Sequence, residues 1–311
     1  MREILRLDEK HLLETNQGFQ AMAEGTKIRT AGGPLIRDIS DTALWVAVYR
    51  AREAERADAL FRDPFARRLA GERGEEIAQS MQFGERNSWS YIARTLRVDQ
   101  IVTAAVKAGA DMVINLAAGL DARPYRMELP PSLRWIEVDL PALIDYKEEI
   151  LREETPRCSL DRIRLDLASV DARRKLFREL GVNAMKVLII TEGLLIYLNR
   201  EEVLALGHDL GAQPNFADWI VELVSPGLLK MLEKNLPAVQ QAGSPFKFAP
   251  REGPDFFREC GWKPVEVYSL IKTPAVQSRL PWLGRLAARL PESNGRQGMR
   301  AWSGICRVTR M

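Results

Sequence analysis

Apolar positions along the chain fall into two regimes that change over near residue 110. Before it they recur at helical spacing between breakers. Ser40 and Asp41 predict the start of a helix from Thr42 to about Ala59, and Asp63-Pro64 restarts the chain into a short helix ending near Gly71. Ile92, Leu96, Ile101, Val102 and Val106 mark one face of a helix from about Ser88 to Ala108, closed by Gly109. From Asp111 onward the pattern becomes short apolar runs between polar helical stretches: Met112 to Gly119, Arg134 to Leu140, Arg162 to Leu167 and Lys186 to Gly193. Asp139 to Asp166 spans 27 positions and Asp166 to Glu192 spans 26, about one strand plus one crossover helix. Runs apolar on both faces predict a parallel sheet covered on each side. Right-handed crossovers then bring every strand C-terminus to one edge, where ligands bind.

After Gly193 the sequence predicts a helix near Arg200 to Leu210 and a fifth strand at about Ala217 to Val224. Pro254 to Cys260 reads as helical, and Pro264 to Leu270 and Trp302 to Thr309 as two more strands. The Pro- and Gly-rich stretch 225–250 is long for a connection and reads as a lid-like, substrate-facing insertion, whereas 273–298 reads as surface alone. The expected architecture is α/β, a doubly wound, mostly parallel sheet with helices on both faces. Residues 1–108 form an N-terminal helical cap region and 109–311 the core, or the two make one integrated domain.

Composition narrows the function. With 46% hydrophobic and 28% charged residues the chain has the make-up of a globular protein, and 45 Lys+Arg against 42 Asp+Glu leave a net charge of +3, too small and dispersed for a nucleic-acid partner. Cys158, Cys260 and Cys306 have no paired spacing, so neither a disulfide framework nor a metal site is implied and a reducing, cytoplasmic setting fits. The charged N-terminus does not read as a signal peptide. Val187 to Leu198, the most apolar stretch, is too short to span a bilayer, so no membrane role is expected.

The first strand runs into Asn115-Leu116-Ala117-Ala118-Gly119-Leu120-Asp121-Ala122-Arg123. A dinucleotide turn needs glycines where the backbone meets pyrophosphate. Here Ala117 and Ala122 replace two of them, and Asp121 stands where phosphates would lie and would repel them. S-adenosylmethionine carries no phosphate but a sulfonium cation, an α-amino group and an α-carboxylate, so acids at this edge become useful. Asp139, 20 positions after Gly119, is placed to accept from both ribose hydroxyls. Asp166 is placed to accept from the adenine amine, with the Leu167 N–H available to a ring nitrogen, and Glu192 could face the cationic methionine end. Taken singly, each acid would equally suit a helix N-cap or a solvated strand end; together they fall at one edge.

These residues carry a resemblance. The blocks SDTALWVAVYRA (Ser40 to Ala51), LFRDPFARRLAG (Leu60 to Gly71), ARTLRVDQIV (Ala93 to Val102), INLAAGLDARPYR (Ile114 to Arg126), WIEVDLPALIDYK (Trp135 to Lys147), LDL (Leu165 to Leu167) and TEGLLIYL (Thr191 to Leu198) resemble, in order, the leucine carboxyl methyltransferase-like superfamily. Within it they are similar to the bacterial S-adenosylmethionine-dependent O-methyltransferases, a Rossmann-like group. The resemblance implies cofactor contacts at Arg94, Ala117, Gly119, Asp139, Asp166, Leu167 and Glu192, with Arg94 holding the methionine carboxylate through a bidentate pair. From the residues alone, a surface or salt-bridging arginine is the lesser alternative for Arg94. Two positions depart from the pattern: Ala117 replaces the first glycine of the turn, and Val46 stands where the eukaryotic carboxyl methyltransferases have a cofactor-contacting lysine, which removes support for a protein substrate.

The expected activity is methyl transfer to a carboxyl or hydroxyl oxygen, the partner a small-molecule acceptor ahead of a protein carboxyl terminus. In-line displacement needs alignment in a site closed to water more than it needs a covalent intermediate. A carboxylate acceptor requires no base, whereas a phenol or alcohol does. His11 and His208 read as surface or packing residues, so no catalytic residue is assigned. Tyr197 could line the acceptor pocket or be a core aromatic. Trp45, Tyr49 and Trp89 could cap it. Two other readings are a nicotinamide-dependent oxidoreductase and a noncatalytic S-adenosylmethionine-binding protein.

Overall fold

The computed structural model describes Ile36 and residues 40–291 and 300–311; His11 lies outside them. Seven strands form one sheet in the order β3-β2-β1-β4-β5-β7-β6. They are β1 (Met112–Leu116), β2 (Arg134–Asp139), β3 (Ser159–Arg164), β4 (Val187–Thr191), β5 (Phe216–Val224), β6 (Trp262–Ser269) and β7 (Ser303–Arg310). β1 to β5 are mutually parallel, and β7 runs antiparallel between β5 and β6. Chain order reverses at β1, whose neighbours are β2 and β4, and there the crossovers leave a crevice at the strand C-termini.

The helices are α1 (Asp41–Ala54), α2 (Ala66–Ser80), α3 (Gln82–Arg86), α4 (Ser88–Lys107), α5 (Arg123–Arg126), α6 (Pro141–Ile150), α7 (Val170–Gly181), α8 (Arg200–Gly211), α9 (Pro226–Asn235), α10 (Pro237–Gln241) and α11 (Trp282–Ala288). The predicted break at Gly71 is present as a kink inside α2, at φ 59. The chain continues helical to Ser80 beyond it.

Alternation along the central strands sorts the core. Ile114, Leu116, Ile136, Val138 and Ile189 meet Phe177 of α7 and Val203, Leu206 and Leu210 of α8 on one face. Val113, Trp135, Leu188, Ile190 and Ile220 meet Ile92, Val98 and Val102 of α4 on the other. At about 1.5–3 kcal/mol per fully buried large aliphatic or aromatic side chain, these layers dominate the hydrophobic stabilisation. A third cluster joins Trp45 and Val48 of α1, Leu69 and Ile77 of α2, Leu143 and Tyr146 of α6, and Leu236, Val239 and Phe246 of 225–250. It stands over the C-terminal edge of the sheet.

α1 ends at Ala54 and not near Ala59, and two further segments differ from expectation. β3 is an edge strand of alternating exposure that starts and ends three residues early, so Asp166 lies two residues past its end. Segment 273–298 is not surface alone: Val276 is fully buried and Leu280 2% exposed, with a 3-10 turn over Pro274–Arg279.

Candidate functional site

At the β1 C-terminus the backbone turns through two left-handed residues, Ala117 (φ 53) and Gly119 (φ 51). Ala117 is the non-glycine residue with positive φ among those described, a conformation costing an L-residue roughly 1–2 kcal/mol. The turn points the Gly119 N–H at Asp139 Oδ2 (2.6 Å), and Leu140 N–H donates to Asp139 Oδ1 (2.7 Å). The β1–β2 register, Leu116 opposite Val138, makes this possible. Asp139 is buried, and burial pushes its carboxyl above the ordinary value despite the two N–H donors. Each oxygen keeps a lone pair for a further donor.

Asp121 does not present a free charge. Its carboxylate takes Asn115 Nδ2 (2.9 Å), the Arg123 N–H (2.9 Å) and Arg123 Nη1 (2.7 Å). Burial would raise it, yet Arg123 and more distant cations hold it down to about 2. The phosphate repulsion expected from Asp121 alone is therefore offset locally by Arg123. Asp99 of α4 fixes that arginine from behind, at 2.6 Å from Nε, and also binds Arg126 at 2.7 Å.

Across the crevice, Glu192 follows β4 and lies between two guanidiniums, 2.8 Å from Arg94 Nε and 2.9 Å from Arg123 Nη1. Burial opposes its charge, but Arg123 and Arg94 together keep it below the usual carboxylate range. Arg94 Nη1 also donates to Glu222 Oε2 (2.9 Å), which accepts the Gly193 N–H (3.0 Å) as well. Glu222 has one cation where Glu192 has two, and burial leaves its carboxyl raised. Within this charged cluster, Arg94 Nε and Glu192 Oε2 are ion-paired without hydrogen-bond alignment, buried polar atoms that a ligand could satisfy.

Arg94, Ala117, Gly119, Asp139, Asp166, Leu167, Glu192 and Tyr197 all line one cavity of about 440 Å³, within the range of small-molecule sites. Asp166 is the outlying member, exposed, its Oδ1 accepting the Ala168 N–H (2.9 Å) in an Asx turn. The Tyr197 ring packs on Phe246 with centroids 5.6 Å apart, and burial, partly opposed by a hydrogen bond with Thr42, raises its phenol. Val46 also lines the cavity. Trp45 and Trp89 do too, whereas Tyr49 sits behind the wall, stacked on Tyr91 at 5.2 Å. His208 is exposed and lies away from the cavity.

The sequence reading missed Glu222 and Asn115. The available signal was an acid inside an otherwise apolar run of β5, Trp219-Ile220-Val221-Glu222-Leu223-Val224. Alternation puts Glu222 on the face that carries Ile220 toward α4, and therefore toward Arg94. Five carboxylates (Asp121, Asp139, Asp166, Glu192, Glu222) and three guanidiniums (Arg50, Arg94, Arg123) line the cavity. That excess favours a cation and disfavours a pyrophosphate.

A parallel sheet reversing at β1, with an acid closing β2 beside a tight β1 turn, defines the Rossmann-like α/β class of nucleoside-binding proteins. The sequence profile of leucine carboxyl methyltransferases matches residues 43–210. The chain belongs to that family. It is 35% identical over 186 residues to a Streptomyces coelicolor protein provisionally named an S-adenosyl-L-methionine-dependent methyltransferase, covering 55% of this chain and 64% of that one. A Mycobacterium tuberculosis protein with the same provisional name is 35% identical over 188 residues, covering 55% of this chain and 62% of that one. The chain thus spans less than two thirds of the length of these curated relatives. Among solved structures, a DUF574 family protein from Streptomyces avermitilis superimposes with TM-score 0.57 at 12% identity, covering 87% of this chain and 97% of that one. A provisionally named methyltransferase from Thermobifida fusca gives 0.55 at 15% identity, covering 89% and 96%. Both share the fold.

Proposed function

We propose that the protein is an S-adenosylmethionine-dependent O-methyltransferase acting on a carboxyl or hydroxyl oxygen of a small molecule. The observation that carries this reading is the convergence of Asp139, Glu192 and Arg94 on one cavity with a surplus of carboxylates. The family and the names of its relatives support it. Asp139 would hold the ribose hydroxyls with the lone pairs left by Gly119 and Leu140. Asp166 and the Leu167 N–H would meet the adenine edge.

Arg94 would take the methionine carboxylate and Glu192 the amino group, which gives the misaligned Arg94 Nε and Glu192 Oε2 their partners. When bound, the cofactor supplies a methyl group activated by a sulfonium. The protein's own part is alignment and the exclusion of water. Among the described residues no histidine, cysteine or lysine lines the cavity; proton acceptance would fall to a carboxylate, or be unnecessary where the acceptor arrives ionised.

A labelled-methyl transfer assay with a small-molecule extract as acceptor pool tests the reading, and base-lability of the product separates ester from ether. Turnover that depends on S-adenosylmethionine supports it. Tight cofactor binding with no transfer to any pool would favour a noncatalytic binding protein instead.

A further inference from the structure

The same cavity has a second, chemically different half. Beside the charged residues its wall holds Trp45 and Phe83 from the N-terminal helices and Leu232, Leu236 and Phe246 from 225–250. These five belong to one contiguous apolar cluster. Arg50, the guanidinium on the same helix as Trp45, is turned to Asp63 (3.0 Å) and the Leu120 carbonyl, at the strand-edge end. Phe83 and Leu232 remain partly exposed, although both face the cavity wall. The wall carries one unmet polar group: Trp45 is 4% exposed, and its Nε1, buried, has no hydrogen-bond partner. Buried indoles usually find an acceptor; Trp135 and Trp302 also lack one among the described residues, but of the three only Trp45 lines the cavity.

We infer that this half is the acceptor subsite and that it takes a molecule with an uncharged apolar body, one of whose oxygens accepts from Trp45 Nε1. The inference rests on the methyl-donor reading above and adds the acceptor class to it. A second charge on the acceptor would lie against Trp45, Phe83, Leu232, Leu236 and Phe246, none of which can pair with it. Apolar length would be rewarded, because each methylene buried against Phe83, Leu232 and Phe246 leaves water. The 225–250 segment sets the size of the subsite, and the backbone bond from Lys247 N–H to the Ile196 carbonyl (2.7 Å) pins its returning end to the turn after β4.

The test is calorimetric titration of the full chain, saturated with S-adenosylhomocysteine, with butyrate, hexanoate, octanoate and p-cresol, and with succinate and adipate as charged counterparts. Affinity is expected to rise about threefold to fourfold per methylene in the monocarboxylate series, with p-cresol bound and both dicarboxylates at least tenfold weaker than the monocarboxylate of equal length. Trp45→Phe keeps the ring and removes the N–H; it is expected to weaken hexanoate about threefold to tenfold while leaving S-adenosylhomocysteine unchanged. Leu232→Lys is expected to flatten the methylene dependence and admit adipate. Failure to bind S-adenosylhomocysteine at all would overturn the methyl-donor reading. Tight S-adenosylhomocysteine binding with dicarboxylates preferred, or with no dependence on chain length, would overturn the apolar acceptor alone.

Discussion

Arg94 of α4 and Glu222 of β5, 128 positions apart in the chain, meet in the cavity with Nη1 donating to Oε2 at 2.9 Å. Because Glu222 also takes the Gly193 N–H, one carboxylate ties the helix that carries Arg94 to the loop that carries Glu192. Glu222 lies outside the stretch, residues 43–210, that matches the family profile.

Glu222→Ala should therefore weaken S-adenosylhomocysteine binding about tenfold and lower stability by about 1–3 kcal/mol, since a buried arginine and a backbone N–H lose their shared acceptor. Glu222→Gln keeps an acceptor oxygen and should recover most of the stability. Titration calorimetry and urea unfolding of both variants check this; an alanine variant equal to wild type in both would remove Glu222 from the site.

Ala117→Gly relieves the left-handed strain at φ 53 but adds flexibility to the unfolded chain, two effects of about 1 kcal/mol each and opposite sign. Stability should change by less than about 1 kcal/mol and ligand affinity little. Ala117→Val places a β-branched residue at positive φ and should lose about 2 kcal/mol or more. Urea midpoints at unchanged slope decide it.

The carboxyls of the site should respond to pH in two directions. Asp139 and Glu222 have raised values, burial being the first cause in each. The folded protein thus holds protons that the unfolded chain has lost, and these groups subtract stability as pH rises from about 4 through their raised values. Glu192 and Asp121 are lowered by Arg123 against burial. Their stability is full above the ordinary carboxylate value and is lost as pH falls through the folded one, about 2 for Asp121. Binding a cation should drive Asp139 and Glu222 to ionise, so S-adenosylmethionine should release protons on binding and gain affinity with pH across that upper window. Calorimetry in buffers of different ionisation heat measures the release; proton uptake would contradict the sign.

The buried pair of Lys147 and Glu137, 2.7 Å apart and shared with Arg162, lies under the sheet edge and outside the cavity lining. Lys147→Ala should cost about 3–5 kcal/mol, as for other broken buried pairs. Where the variant still folds, S-adenosylhomocysteine affinity should fall only modestly, through the loss of the Lys147 charge that helps keep Asp139 ionised. A thermal scan with and without ligand separates the two effects.

The sheet was legible in the sequence where strands are buried on both faces. β1 and β4 are buried at every position and apolar except at Asn115 and Thr191, and their ends were placed within a few residues. β3 was misplaced because an edge strand carries Ser159, Asp161 and Arg164 among its apolar residues, so the visible apolar run was not the paired one. Segment 273–298 hid its buried Val276 and Leu280 because two isolated apolar residues make no periodic pattern. The acids at strand ends were legible from the repeat of about 26 residues. Glu222 was not, because its partner is set by tertiary packing of α4 on β5. Asp121 was seen, but the neutralising contact from Arg123, two residues on, depends on a turn that the sequence does not display.

The central claim is that Asp139 closes a phosphate-free nucleoside site, and titration of S-adenosylhomocysteine against wild type and Asp139→Ala tests it most directly, with NADH as the comparison ligand. The account predicts micromolar or tighter binding to wild type, a loss of about 100-fold or more in a variant that still melts cooperatively, and no heat from NADH. Saturable NADH binding with no response to S-adenosylhomocysteine would contradict it.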